Sequence, residues 1–324
     1  MHHLRASLLA FIGLFAFALT SAPAPAQQAW PQRPVKFVVP LGAGSGVDIT
    51  ARVFAERLSA RWGQPVVVEN RPGGDAMVAI NAVLGAHDDH VLLFAPASTF
   101  TAHAYLHDKL PYKPADLIPI ARVTNTLIAV GVPTALGVDT LAELAAKVRA
   151  APSKLNYASV TGANDLLFAG FLKSENLDMA KVPYRDTVQA INDLAENRIQ
   201  SFVAAYAILR PQVKAGKVKV VAITNRQHAA ALADIPTATE AGFQSLNFDG
   251  LVGLIGTREL APAARDRIAN DIREIATDPA IAARLSVTGQ VMSPGSAAEF
   301  SAAIEDQRTT VAAIGKTLGI KPAQ

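Results

Sequence analysis

The stretch "VVPLGAGSGVDITARVF" (residues 38–54) sets glycines at 42, 44 and 46 between an apolar run and a helical pattern. Turns of this kind hold anions, because open backbone N–H groups and the helix dipole meet there and no Cβ blocks close approach. Spacing decides which anion. A nucleotide phosphate loop needs Lys-Ser/Thr after G-x-x-x-x-G; Val47 stands there instead and no Lys follows, so that chemistry is excluded. A nucleophile elbow needs G-x-S-x-G, but Ser45 is flanked directly by Gly44 and Gly46. A dinucleotide fingerprint needs G-x-G-x-x-G; the third glycine comes one place early, although Glu69 stands where a ribose-binding acid would. A secreted NAD-binding oxidoreductase therefore stays open as an alternative. Ser45-x-x-Asp48 matches a capping box, with Ser45 capping the helix and Asp48 reaching back to the backbone. Open amides around Gly44 and Gly46 would then suit a small carboxylate. A glycine turn that binds nothing is the plain alternative.

A second constellation follows the same logic. "NYASVTGANDLLFAGFL" (156–172) places Ser159, Thr161, Gly162 and Asn164 between a strand and a helix. Asn164 is expected as N-cap, with Asp165 in the first turn. Two such helix starts, one per lobe, would face each other across a cleft. Ser98 and Thr99 follow an apolar strand, at the end where open α/β sheets bind ligands. Tyr206 offers a ring or hydroxyl, or packs. Arg185 suits a ligand carboxylate, or pairs with Asp186 or Asp165, or is solvated. His103 and His107 have the i, i+4 spacing of helical metal ligands. No Glu follows His103 and no third ligand is apparent, so a structural or solvated pair is expected and no metal. His87-Asp88-Asp89-His90 reads as a polar turn.

The elements that must carry these residues alternate. Strand-like runs at 35–41, 65–70, 90–95, 154–160, 199–205 and 217–224 are interleaved with amphipathic helices at 48–62, 75–86 and 165–175. That is an α/β pattern, with parallel strands and crossover helices. From 261 onward the pattern is mostly helical. Two long extended segments, 118–132 and 245–257, are what a chain needs to cross between two lobes and return.

Composition narrows the function class. The chain has 324 residues, half of them hydrophobic, a net charge of +3 and no Cys. Lysines and arginines are scattered without runs, which argues against nucleic acid as a partner. The lack of Cys excludes disulfides, thiolate metal sites and cysteine nucleophiles. "MHHLR", an apolar stretch and the Ala24-Pro25-Ala26 site form a secretory leader, residues 1–26, with cleavage expected before Gln27. An uncleaved anchor is the alternative.

Several stretches together resemble a known family. "WPQRPVKFVVPLGAGSGVD", "GQPVVVENRPGG", "LPYKPADLIPIARV", "KLNYAS", "VPYRDTVQAINDL", "VKAGKVKVVAIT" and "ADIPTATEAGF" are similar, in this order, to the signature stretches of the tripartite tricarboxylate transporter solute-binding proteins, the TctC or Bug receptors. The resemblance spans Trp30 to about Ile320. It implies a type II-like periplasmic-binding-protein fold. Two lobes, each a mixed and mostly parallel sheet flanked by helices, would be joined by two crossing segments. The expected division is 27–123 plus 238–324 for one lobe and 124–237 for the other. The implied function is a periplasmic receptor, not an enzyme. It would be monomeric and cofactor-free, capturing a small organic acid for tripartite-type membrane transporter subunits; a sensor for a signalling system is the alternative. The family's first loop maps to Leu41–Asp48, with Asp48 matching. Its second loop maps to Thr161, Gly162, Ala163, Asn164 and Asp165. Arg185-Asp186 stands where a Lys-Gly pair is usual, and Ala204 where an Asp is frequent. With Asp165 and Asp186 opposed only by Arg185, a dianion is expected to be less welcome than a monocarboxylate, a zwitterionic amino acid or a neutral amide-bearing aromatic.

Overall fold

A computed structural model describes residues 30–160, 162–185 and 187–323. The secretory leader lies outside the described residues, as do Thr161 and Asp186. From Arg33 onward the chain packs as one unit. Its strands are β1 (Val35–Val39), β2 (Val66–Asn70), β3 (Val91–Pro96), β4 (Ile118–Thr126), β5 (Ile128–Pro133), β6 (Asn156–Val160), β7 (Ala180–Tyr184), β8 (Ser201–Ala205), β9 (Val218–Ile223), β10 (Gly250–Gly256) and β11 (Gln290–Gly295). Its helices are α1 (Gly46–Trp62), α2 (Met77–Leu84), α3 (Ser98–Thr101), α4 (His103–Leu106), α5 (Leu141–Ala150), α6 (Ala163–Ser174), α7 (Thr187–Ala195), α8 (Tyr206–Lys214), α9 (Pro262–Ile275), α10 (Pro279–Ser286) and α11 (Ala297–Leu318).

The strands form two sheets, ordered β11-β4-β10-β3-β1-β2 and β7-β6-β8-β5-β9. β1 runs parallel to β2 and β3, and β6 runs parallel to β7 and β8. The pairings of β4, β5, β9, β10 and β11 are antiparallel. Both sheets are therefore mixed, as expected, with β10 and β11 running against the other strands of the first and β5 against those of the second. The strands that enter a sheet from a crossing, β10 and β5, run against its βα units, whereas β4 and β9, which lead out toward a crossing, run with them.

The extended run 118–132 is broken at Leu127, where the chain leaves the first sheet for the second. The Leu127 amide donates to the Gly289 carbonyl at 2.8 Å, and its carbonyl accepts from the Tyr206 amide at 2.8 Å. The return crossing lies alongside. Asn225 accepts from the Ile128 amide at 3.0 Å and donates to the Thr126 carbonyl at 2.9 Å. The Phe248 amide donates to Thr224 O at 2.8 Å. The segment read as 245–257 opens with a 3₁₀ turn at Gln244–Leu246 before β10 begins.

Core packing follows the helical spacing seen in the sequence. α1 buries Val47, Ala51, Phe54, Leu58 and Trp62 along one stripe. In the second sheet's core Tyr157, Phe168 and Phe171 meet ring to ring. The C-terminal region, read as mostly helical, also contains β11. Helix α11 serves both cores: Phe300 and Ile304 pack with the first, Val311 and Ile314 with the second. Its approach to α6 is close, since a Cβ on Gly170 would lie 2.7 Å from Ile314.

Candidate functional site

Topology gathers the expected residues. The C-terminal ends of β1, β2 and β3 share one edge of the first sheet, and those of β6, β7 and β8 share one edge of the second. Both edges face the crossing: Pro96 at the end of β3 pairs opposite Val252, near the Gly250–Thr126 pair, and Ala205 at the end of β8 pairs with Ile128. Leu41–Asp48 follow β1, Ser98 and Thr99 follow β3, Ser159 lies near the end of β6 with Gly162, Asn164 and Asp165 after it, Arg185 follows β7, and Ala204 lies in β8 with Tyr206 just beyond.

The first loop is braced by one carboxylate. Ser45 caps α1, its Oγ accepting from the Asp48 amide at 3.2 Å. Asp48 accepts in turn from the Gly44 amide at 2.9 Å. The reach is to Gly44 because the Ser45 amide already donates to Gly42 O at 3.2 Å. Asp48 is 2% exposed and also accepts from Arg52 Nε at 3.1 Å and Asn70 Nδ2 at 2.8 Å. Asn70 Nδ2 also donates to Leu41 O at 3.0 Å, closing the loop on itself. Burial pushes the Asp48 carboxyl up. Hydrogen bonds from Arg52, Gly44 and Asn70, with the Arg52 charge, outweigh it and hold the group below its ordinary value. Asp48 is therefore the loop's brace and is consumed in that role. Gly44 takes a left-handed φ of 83°, which suits glycine. A helix start leaves its first amides open; Ser45 takes that of Asp48, and those of Gly46 and Val47 remain for an outside acceptor. A side chain at Gly46 would meet Gln290 Nε2 at 2.7 Å and Thr288 O at 3.0 Å.

The second loop is built differently. Helix α6 starts at Ala163 with Gly162 as N-cap, not Asn164, and no side chain caps it. The turn is made by backbone: Gly162 has φ 138°, a conformation that side chains oppose, so the helix begins before Asn164 can act as cap. Asp165 pairs with Lys181 on β7 at 2.7 Å rather than with Arg185, and its other oxygen, Oδ1, is buried without a partner. Lys181 is a cation that sequence reasoning left out of the charge balance; parallel pairing of β6 with β7 brings it there. Arg185 is exposed and makes no ion pair among the described residues. Ser159 is buried on β6. Ala204 packs in the core beside Ala129 and Leu209. Tyr206 opens α8, half-buried. Ser98 and Thr99 form the first turn of α3, and Thr99 Oγ1 donates to Pro96 O at 2.7 Å.

A third loop, missed in the sequence, links the other two. After β2, which ends at Asn70, residues Gly73, Gly74, Asp75 and Ala76 all have positive φ (121°, 57°, 52° and 71°). A Cβ on Gly162 would lie 3.8 Å from Asp75 Oδ1, so this loop of the first sheet meets the second loop directly. Asp75 also accepts from His107 Nε2 at 3.0 Å, while His103 Nε2 lies 2.7 Å from the Asp75 carbonyl and His103 Nδ1 2.7 Å from the Tyr112 hydroxyl. His103 is fully buried; burial pushes its pKa down, against the opposing charge of Asp75. The signal was present as "NRPGGD", a glycine pair before an acid between a strand and a helix.

Comparison with known proteins agrees with this architecture. The model of the family described as "Tripartite tricarboxylate transporter family receptor" matches residues 50–320. A UPF0065 protein of Bordetella bronchiseptica is 29% identical over 307 residues, covering 93% of this chain and 90% of its own. A solved structure described as a periplasmic transporter is 26% identical, with a TM-score of 0.79, over 90% of this chain and 99% of its own. An R. palustris protein solved with adipate is 24% identical, with a TM-score of 0.80, over 90% and 99%. The oxidoreductase alternative falls with this match. Glu69, its ribose-binding acid, is paired with Lys36 at 2.7 Å and with Arg71.

Proposed function

The chain belongs to the tripartite tricarboxylate transporter family of receptors, and from that premise we propose that it captures one small organic acid between its two sheets and delivers it to a membrane transporter. It is a receptor and not an enzyme. We place it in the periplasm, with residues 1–26 removed as a leader, and divide it into lobes at 27–123 plus 238–324 and 124–237.

The observation that carries this reading is the pair of sheet edges turned toward the crossing, each ending in a strand–turn–helix start. Ligands of open α/β sheets bind at such ends. A carboxylate of the solute would sit on the Gly46 and Val47 amides, with the Ser45 hydroxyl beside it and the α1 dipole behind it. Gly162, Asn164 and Ser159 would complete the shell from the other edge, with Ser98 and Arg185 as flanking contacts. The Leu41, Gly44 and Asp48 positions act by shaping the first loop, and Ala204 and Tyr206 by shaping the floor. Because Asp75 Oδ1 lies beside Gly162 and Asp165 stands in the first turn that Gly162 caps, a solute with a single carboxylate, or with an ammonium group besides, fits better than a compact dianion.

Denaturing the purified protein and identifying the released small molecules by mass spectrometry names candidate solutes. Calorimetric titration with these, with adipate, and with a panel of monocarboxylates and amino acids then tests the site. The expected result is binding that weakens roughly tenfold in Ser45→Ala, the loss of about one charge-assisted hydrogen bond. Binding left intact by both Ser45→Ala and Gly46→Ala would move the site elsewhere.

A further inference from the structure

We propose that Asp75, His103 and His107 form a binding site for a zinc-class divalent ion at the rim of the cleft. The sequence shows only the two histidines; the fold supplies the third donor. Asp75 Oδ2 lies 3.0 Å from His107 Nε2 and 3.6 Å from His103 Nε2, and one ligand atom from each residue falls within 4.8 Å of the others. A tetrahedral ion with bonds of ~2.0–2.1 Å holds its donors about 3.3 Å apart. The two distances bracket that spacing, and the two histidine donors lie within 4.8 Å of each other, so a shift of about 1–1.5 Å at most brings the third pair to the spacing of an ion.

The surroundings fit the same chemistry. His103 is fully buried and its Nδ1 lies 2.7 Å from the Tyr112 hydroxyl. With Nδ1–H donating to that oxygen, Nε2 presents its lone pair to the ion; an outer partner of this kind orients a metal-bound imidazole. The exchange gives up two hydrogen bonds, that from His103 Nε2 to the Asp75 carbonyl at 2.7 Å and that from His107 Nε2 to the Asp75 carboxylate at 3.0 Å, in return for the bonds to the ion. Asp75 and Ala76 hold φ of 52° and 71°, left-handed conformations that non-glycine residues adopt at a cost. Those conformations aim the carboxylate at the histidine pair. His107 is half-buried and borders a cavity of about 450 Å³, which provides a path from solvent. Two imidazoles and one carboxylate, in a chain without Cys, suit Zn²⁺ and its neighbours Ni²⁺ and Cu²⁺; Mg²⁺ and Ca²⁺ prefer all-oxygen shells.

Three protein donors leave a fourth position open. Asp75 Oδ1 is directed to the neighbourhood of Gly162, so a bound ion adds positive charge where the first sheet's loop meets the second. It also ties the 73–76 loop to α4. The site does not depend on which solute the cleft takes.

The test uses purified protein without an affinity tag, stripped with a chelator and titrated with ZnCl₂ in the absence of any organic acid. One ion per chain is expected, with a rise in Tm on saturation. Asp75→Asn and His107→Gln should each weaken binding by at least about tenfold. Asn accepts a left-handed backbone as readily as Asp, so the first variant keeps the loop's shape. Should either variant fail to fold, the visible spectrum of the Co²⁺-loaded parent decides: intense d–d bands report a tetrahedral site. No Zn²⁺ uptake at micromolar concentration overturns the proposal. So does uptake undiminished in both variants, or a Co²⁺ spectrum of the hexaaquo type.

Discussion

The two helix starts at the cleft solve one problem in opposite ways. At α1 a buried carboxylate, Asp48, gathers the Gly44 amide, Arg52 and Asn70, and Ser45 caps the helix. At α6 no side chain caps the helix, Gly162 makes the turn by backbone alone, and Asp165 holds a single partner, Lys181. The first loop is preorganised and its open amides are presented at little further entropic cost. The second owes its shape to one glycine and a half-exposed ion pair, and so is held by fewer contacts than the first.

The largest expected effect breaks the braced loop. Asp48→Ala strands Asn70 and the Gly44 amide; with Arg52 half-exposed, a loss of about 2–3 kcal/mol in urea unfolding is expected. Asp165→Ala should lose under about 1 kcal/mol, since Lys181 is half-exposed. Equal losses would end the comparison.

Next comes Gly46→Ala, where the new methyl meets the Thr288 carbonyl and Gln290. A cost of ~1–3 kcal/mol is expected, with solute affinity falling further than stability. Gly162→Ala has room, with Asp75 Oδ1 at 3.8 Å, but adopts a strained φ, so its cost of ~1–3 kcal/mol comes from the backbone alone. Crystal structures of the two variants would separate the causes: a shifted Gln290 in the first, an altered turn in the second.

A smaller effect is acid sensitivity. The Asp48 carboxyl is held below its ordinary value in the folded protein. Its contribution is therefore complete above the unfolded pKa of about 3.9 and fades as pH falls through the depressed folded value. Asp48→Asn should flatten that part of the stability–pH curve below about pH 4. An unchanged acid limb would show that Asp48 is not its source.

The smallest effect concerns the caps. Ser45→Ala should lose about 1 kcal/mol, whereas Asn164→Ala, no longer a cap, should lose under about 0.5 kcal/mol. Thermal unfolding of both variants in solute-free buffer checks this, and a larger loss at Asn164 would restore it as the cap.

Much of this was legible in the residues. Ser45 and Asp48 announce a capped helix because a capping box is local, set by hydrogen bonds reaching three or four residues. Val53, Phe54, Leu58 and Trp62, read with Ile49 as one helix face, are buried, with Ile49 half-buried, because helical period is local too. The alternation of strands and helices marked an α/β chain for the same reason. Asn164 was misplaced because a backbone conformation available to glycine outranked a favourable cap two residues later.

What lay beyond the sequence joins residues far apart in the chain. Lys181 reaches Asp165 only because β6 and β7 pair in parallel. Gln290 closes against Gly46 only because β11 returns beside β4. Asp75 meets His103, His107 and Gly162 only once two loops and a helix have been brought together by the packing of both sheets. Local hydrogen bonding and periodicity are written in neighbouring residue types, so the sequence by itself determined the elements, the braced first loop and the family. The charge balance of the cleft and the company of Asp75 were decided by tertiary structure, because strand pairing and helix packing set contacts that no local pattern encodes.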